Sequence, residues 1–442
     1  MSAPLWVEEV IWWQVYPLGF GDAEKEAPAE ATVHHRLPGP QWLDYLVELG
    51  CNGLALAPIF ASQSHGYDTV DLFRIDPRLG DDDDFDTLVQ GCRDRGIRIL
   101  LDGVFNHVGR AHPQFVAALE QGLGSEAAGW FHLTEADGGL VAENFEGEDQ
   151  LVVLNHSSPA VIEHVTQVMN HWLDRGADGW RLDAAYAVPP EFWAAVLPGV
   201  RERHPDVWIV GEVIHGPYVE YVESATLDAV TEYELWKAIW SSINDPNFWE
   251  LDHTLGRHNT LLEHFRPLTF SGNHDVTRIA SQLSDPRHLP HALAVLMFVG
   301  GVPSLYYGDE QGFTGVKEQR LGGDDAIRPA FPDRPSDLPE AGWETFHLHQ
   351  RMISIRRRHP WLGGAASERL HVSNEQLALS AMSPDGSDRL LLLLNLADSE
   401  ATFDLGVGVG EATVVEQSDG SAADELRVAG SGWAVVAVTG RG

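Results

Sequence analysis

Four short segments concentrate the acidic, basic and imidazole side chains that could do chemistry: DGVFNH (102–107), GWRLDAA (179–185), VGEVIH (210–215) and FSGNHD (270–275). Each leaves an apolar, strand-like run and finishes in Asp, Glu, His or Arg. A charge at the end of an apolar strand is costly unless it is paired or used. One such cluster is accounted for by a helix cap, but four in succession are not. The carboxylates suit cleavage of an acetal. There, one carboxylic acid protonates the leaving oxygen while a second carboxylate attacks or stabilises the cationic carbon. No Ser-His-Asp set, clustered Cys nucleophile or GKS/T phosphate loop competes with that chemistry. On spacing alone, a metal site using Asn106, His107 and His274 stays open as the alternative.

The elements that must position these groups alternate along the chain. Strand-like runs are IWWQVY (11–16), GLALAP (53–58), IRILLDG (97–103), ADGWRLD (177–183), VWIVGE (207–212), a weaker LDAV (227–230), LTFSGN (268–273) and PSLYYG (303–308). Helix-like stretches separate them, among them 41–49, 85–95, 159–175, 191–203, 290–299 and 345–358. Eight strands with helical crossovers predict a (β/α)₈ TIM barrel, an α/β fold with its charged strand ends on one rim. An open doubly wound sheet is the alternative. The barrel is expected to fill 1–365, with a short inserted subdomain at 104–158 after the third strand, long enough to cover a site. From 366 to 442 the pattern becomes short alternating strands, which predicts a C-terminal antiparallel β-sandwich.

Composition narrows the partners. With 29 Lys+Arg against 66 Asp+Glu, the formal charge is −37. Phosphates would be repelled before any specific contact formed, so nucleic acid and anionic membrane surfaces are excluded as partners. A neutral sugar is indifferent to that field. Lys25, Lys237 and Lys317 are the only lysines, a bias that fits a GC-rich coding sequence, with salt adaptation as the other reading. The first ten residues lack the basic start and apolar core of a secretory signal, and no apolar run reaches the ~20 residues of a membrane span. Cys51 and Cys92 read as two buried thiols rather than a disulfide, so a cytoplasmic location is expected.

Several features have plain structural readings. The DDDD run at 81–84 precedes a helix, where carboxylates offset the positive dipole end; calcium is the alternative. His347 and His349, two apart on a helix, point different ways and make no metal pair. GVGVG at 406–410 reads as a turn, and His34 with His35 as a lone surface pair.

The four clusters, in this order and at these separations, resemble the signature segments of the α-amylase family of glycoside hydrolases. HGYDTVDLFRIDPRLG (65–80), GVPSLYYGDEQGFTG (301–315) and GDDAIRP (323–329) extend the likeness over nearly the whole chain. The resemblance implies a retaining α-glucoside hydrolase with a covalent glycosyl-enzyme. Asp183 would be the nucleophile, Glu212 the general acid and then base, and Asp275 the transition-state stabiliser. Arg181, on the same strand face as Asp183, would keep that carboxylate ionised and oriented. His107 and His274 would hydrogen-bond the sugar in the cleavage subsite, and Tyr67 would stack beneath its ring, supported by His65 and Asp68. Asp325 and Arg328 resemble the acidic–Arg pair that grips the neighbouring glucose.

LVVLNHSSPAV (151–161) and GEVIH (211–215) point to the neopullulanase and cyclomaltodextrinase branch, and enzymes acting on cyclic maltosyl-maltose come within the same likeness. That branch carries an N-terminal β domain, whereas here the barrel starts at about residue 11. The short insertion then leaves a cleft that is open or closed by a second copy in a homodimer. Small linear or cyclic maltooligosaccharides are the expected substrates. A transglycosylase or an exo-acting α-glucosidase would use the same residues. Many relatives hold calcium between barrel and insertion, using an Asn such as Asn106. The AAYAVPP continuation after Asp183 departs from their pattern, so no metal or other cofactor is expected.

Overall fold

The computed structural model describes residues 3–28, 32–136, 138–320, 322–405 and 411–438; the glycine-rich run at 406–410 lies outside them. Eight short parallel strands form one sheet: β1 (Trp12–Val15), β2 (Gly53–Leu56), β3 (Arg98–Gly103), β4 (Gly179–Leu182), β5 (Trp208–Gly211), β6 (Ala229–Val230), β7 (Leu268–Phe270) and β8 (Val302–Tyr306). Their order across the sheet, β6-β5-β4-β3-β2-β1-β8-β7, follows the chain around a ring. A parallel bridge between Thr231 and Leu268 joins the two ends, and the Glu232 N–H donates to Leu268 O at 3.0 Å. The sheet is a (β/α)₈ barrel, as the strand count predicts, and not an open doubly wound sheet.

Side chains alternate along each strand, so every second residue points into the barrel. At the N-terminal end this inward set is aromatic. Trp12 and Trp208 stack with centroids 5.8 Å apart, and Trp6 meets both edge-on. Gly53 makes room for that plug, because a Cβ there would lie 2.4 Å from the Trp12 ring. Toward the C-terminal end the lining passes through Ala55, Leu100 and Val210 to Gln14, Asp102 and Arg181. The charges collect at the rim.

Helices pack around the strands: α1 (Pro40–Leu49), α2 (Asp82–Arg95), α3 (Pro159–Asp174), α4 (Pro190–Arg203), α5 (Tyr218–Ala225), α6 (Tyr233–Asn244), α7 (Phe248–Leu262), α8 (Leu289–Phe298) and α9 (Gly342–Arg358). The acidic run at 81–84 opens α2 through a capping box, in which the Asp81 side chain accepts from the N–H groups of Asp83 and Asp84 while Asp84 accepts from the Asp81 N–H. That arrangement satisfies otherwise orphaned donors. Cys51 and Cys92 are buried and free. No helix among the described residues is long and apolar enough to cross a membrane.

The stretch 104–158 has structure of its own. It holds a helix at Pro113–Gln121 and antiparallel hairpins that pair Leu133–Ala136 with Gly139–Ala142 and Asn144–Phe145 with Glu148–Val153. After α9 come β9 (Glu368–Val372), β10 (Gln376–Met382), β11 (Arg389–Asn395), β12 (Ala412–Gln417) and β13 (Trp433–Val438), in the antiparallel order β9-β10-β11-β13-β12. The LLLLL run of β11 serves two faces. Leu390, Leu392 and Leu394 join the barrel's core, whereas Leu391 and Leu393 pack with Phe403 and Val428 in a second core. A ribbon pairing Ala401–Thr402 with Arg427–Val428 contributes to that second core.

Buried imidazoles couple this packing to pH. His291 on α8 lies 3.1 Å from Asn395 O and 2.9 Å from Gly432 O, joining the barrel to the terminal sheet. His349 on α9 is buried against Thr345 O, whereas His347 is exposed and meets Gln350. Burial pushes His291 and His349 down to about 4. The unfolded chain binds these protons first, at about 6.5, so the stability they carry is present above that pH and lost as pH falls toward 4. In a His349→Gln variant, the melting temperature should change less steeply between pH 6.5 and 4 than in the parent chain. Parallel curves would mean that the native imidazole is already charged.

Candidate active site

The pairing register of β3 and β4 sets Arg181 opposite Asp102. Arg181 Nη1 reaches the two Asp102 oxygens at 2.7 and 2.6 Å and Asp183 Oδ1 at 3.3 Å. Its Nη2 lies 2.7 Å from Glu212 Oε1 and 4.0 Å from Asp275 Oδ2. One buried guanidinium thus gathers carboxylates from the ends of β3, β4 and β5 and from the loop after β7. Burial first, and then Glu212, push the Asp183 carboxyl well above the usual range. Burial also raises Asp102, which Arg181 offsets only in part. It disfavours ionised Asp275 as well, but His274, Arg328 and Arg181 together outweigh it and hold that carboxyl well below the usual range. With more acids than cations around Arg181, Asp102 and Asp183 take up protons at a higher pH than separate surface carboxylates would, and Asp275 at a lower one.

Glu212 is held on both oxygens. Its Oε1 accepts from Tyr233 Oη at 3.0 Å as well as pairing with Arg181, and its Oε2 accepts from the Ala184 N–H at 2.9 Å. Ala184 directly follows Asp183 and sits at φ 45°, in the left-handed region that side chains other than glycine's rarely occupy. Strain of this kind, about 1 kcal/mol or more, gathers at functional sites.

Asp275 is bracketed on its other side. Arg328 Nη2 donates to its Oδ1 at 2.9 Å, and His274 Nε2 lies 2.9 Å from Oδ2. The His274 ring stacks against Tyr67, with centroids 5.6 Å apart and planes within 3°, and the Tyr67 hydroxyl meets both Asp102 Oδ2, at 3.1 Å, and His274 Nε2. His65 Nδ1 accepts from the Tyr67 N–H at 3.2 Å, and Asp68 ties down Ser64 through two hydrogen bonds. Beneath that loop, Arg78 of the buried Arg78–Asp76 pair donates to Ser62 Oγ and Ser64 O.

His107 is buried, and its Nε2 has no hydrogen-bond partner. Phe145, from the inserted hairpin, stacks on it at 4.8 Å. The structure therefore brings Asp183, Glu212, Asp275, Arg181, His274, His107, Tyr67, His65, Asp68 and Arg328 to one rim. It does not bring Asp325 there. That residue is exposed and pairs with Lys25, while its neighbour Asp324 makes the 2.9 Å contact with Arg328. Asp324 caps and Asp325 begins a tight turn (Asp325–Ile327), where adjacent side chains diverge. Sequence reasoning also left Asp102, Tyr233, Asn273 and Phe145 without roles. Of these only Asp102 carried a signal, as a charge ending an apolar strand.

Asn106 directs its amide Nδ2 to His107 Nδ1 at 3.1 Å, and among the described residues no three His, Cys, Asp or Glu side chains are placed to share an ion.

The α-amylase catalytic-domain profile matches residues 14–358. The chain belongs to the α-amylase family. As a member it is a glycoside hydrolase. A cyclomaltodextrinase from Bacillus sp is 30% identical over 423 residues, covering 89% of this chain and 73% of that one. A maltogenic alpha-amylase from Bacillus acidopullulyticus is 28% identical, with 93% and 74% covered. Among solved structures, the cyclic alpha-maltosyl-(1→6)-maltose hydrolase from Arthrobacter globiformis, in complex with that cyclic sugar, superposes with a TM-score of 0.80 at 25% identity. The match covers 99% of this chain and 100% of the other.

Proposed function

We propose that this chain is a retaining hydrolase of α-glucosidic bonds in small linear or cyclic α-glucan oligosaccharides. The observation that carries the reading is the convergence of Asp183, Glu212 and Asp275 on the single guanidinium of Arg181. Carboxyls held on one such group stand close together. That favours direct attack by one of them over the wider spacing, about 6.5–9.5 Å, that an inverting enzyme keeps for a water. Asp183 attacks the anomeric carbon while Glu212 protonates the leaving oxygen; Glu212 then takes a proton from the water that releases the sugar. Asp275, kept ionised by its cationic neighbours, opposes the positive charge that develops on the ring. The free Nε2 of His107 and the stacked Tyr67 and His274 rings are suited to receive one glucose unit.

Small oligosaccharides are the preferred substrates because the two curated relatives are named for cyclomaltodextrinase and maltogenic activity, and because a cyclic maltosyl-maltose hydrolase matches this chain over nearly its full length. The buried free thiols suit a reducing compartment, the cytoplasm.

Proton NMR of the first products from maltotriose should show the α anomer, and initial β product would sink the double displacement. A panel of maltotriose, cyclodextrins, pullulan and cyclic maltosyl-maltose should show the short and cyclic sugars turned over faster than the polymer. Metal is not needed in this proposal, so EDTA should move the melting temperature by less than about 1 °C, which corresponds to about 1 kcal/mol for a chain of this size.

A further inference from the structure

Tyr233 stands at the start of α6, and no role follows for it from the chemistry above. Its hydroxyl oxygen accepts from Asn273 Nδ2 at 2.9 Å and its proton points to Glu212 Oε1 at 3.0 Å. Asn273 therefore fixes the direction in which Tyr233 donates. The residue is anchored from below, because the adjacent Glu232 pairs with buried His258 at 2.8 Å and binds Leu268 O through its N–H. The Tyr233 ring packs edge-on against Phe270 with centroids 4.9 Å apart. Burial and the neighbouring Glu212 and Asp275 push the phenol well above its usual value, so it remains a donor throughout the working pH range.

We propose that Tyr233, oriented by Asn273, is a positioning residue for proton transfer: it keeps Oε1 of Glu212 as an acceptor and reserves Oε2 for the proton that is delivered. The inference rests on Glu212 being the acid and base. The two oxygens are not equivalent, since Oε1 receives Tyr233 and Arg181 while Oε2 receives only the strained Ala184 N–H. A proton on Oε2 leaves its oxygen able to accept from Ala184, whereas a proton on Oε1 would oppose two donors. In the first half-reaction the bond from the anomeric carbon to the leaving oxygen breaks, the Oε2 proton moves to that oxygen, and an Asp183 oxygen bonds to the carbon. In the second, Oε2 takes a proton from water as the water oxygen bonds to the carbon and Asp183 departs with its electron pair. Tyr233 keeps its own proton in both.

Tyr233→Phe removes one oxygen and retains the ring, so the packing against Phe270 survives. Comparing kcat/KM on two donors then isolates proton delivery. With maltotriose, whose leaving oxygen must be protonated, the variant should lose about 10- to 100-fold, part of what a general acid contributes. With α-maltosyl fluoride, whose fluoride departs with little proton assistance, it should lose less than about threefold. Glu212→Gln should show the same selectivity with a larger loss on maltotriose. Equal losses of Tyr233→Phe on both donors, or no loss on maltotriose, would overturn the role of Tyr233 and leave that of Glu212 standing. Unimpaired maltotriose hydrolysis by Glu212→Gln would overturn the assignment of Glu212 itself.

Discussion

Asp183→Asn is expected to abolish turnover and raise the melting temperature together. The amide keeps the shape of the carboxylate but cannot attack, so kcat on maltotriose should fall on the order of 10⁴-fold or more. Stability moves the other way. Burial and the adjacent Glu212 and Asp102 disfavour a charge at this position, and the contact with Arg181 is a long 3.3 Å. Removing the charge relieves that cost, giving a gain of about 1 kcal/mol at pH 7, as for other sites where function is kept at the expense of stability. Kinetics and calorimetry on one preparation test both halves. Turnover close to that of the parent chain would remove Asp183 from the mechanism, and a marked fall in melting temperature would show that its charge holds the rim together.

Arg181→Met should have the largest effect on stability. The parent chain holds Asp102, Asp183, Glu212 and, at longer range, Asp275 around this one cation. Without it, buried carboxylates face one another unpaired, a loss of about 3–5 kcal/mol at neutral pH. The loss should depend on pH in a definite direction. In the variant these carboxyls hold protons to a higher pH than they do in the unfolded chain, where they titrate at about 4. The native state then binds more protons, so stability is recovered as pH falls toward 4 and lost as pH rises. That is opposite to the slope set by His291 and His349. Urea midpoints at pH 5 and pH 8 should therefore differ more between variant and parent at pH 8. A constant difference would mean that Arg181 acts through packing alone.

What could be read from the sequence follows what is local. An apolar run that ends in Asp, Glu or His marks a rim position wherever it occurs, so Asp183, Glu212 and Asp275 were visible, as were the eight strands. Asp102 was equally visible as a charge, but its tie to Arg181 depends on the β3–β4 register, which no single segment encodes. Tyr233 follows a strand of only two residues and looks like any aromatic at a helix start. Its contact with Glu212 depends on the pairing of β5 with β6. Asp324 and Asp325 are the clearest case, since either satisfies the GDDAIRP pattern and only the turn geometry selects Asp324 as the partner of Arg328. The inserted segment was legible as a cover by its length, whereas the hairpin that lays Phe145 over His107 was not.

The ring of backbone hydrogen bonds is thinnest at β6, where Ala229 and Val230 are the only strand residues and the single bridge from Thr231 to Leu268 closes the barrel. Local opening should therefore cost less there than at β2 or β3, and native-state deuterium uptake should appear earlier at the Thr231 and Glu232 amides than at Leu100 or Leu101. The same stave carries Tyr233. The wall behind Glu212 should then open more readily than the wall behind Asp183, and its alignment rests on side chains such as Asn273 as well as on the sheet. A mutant library meant to change which leaving groups the enzyme accepts would therefore centre on Tyr233 and Asn273 and spare the buried Asp228, Thr231 and Glu232 beside them, which hold the barrel closed.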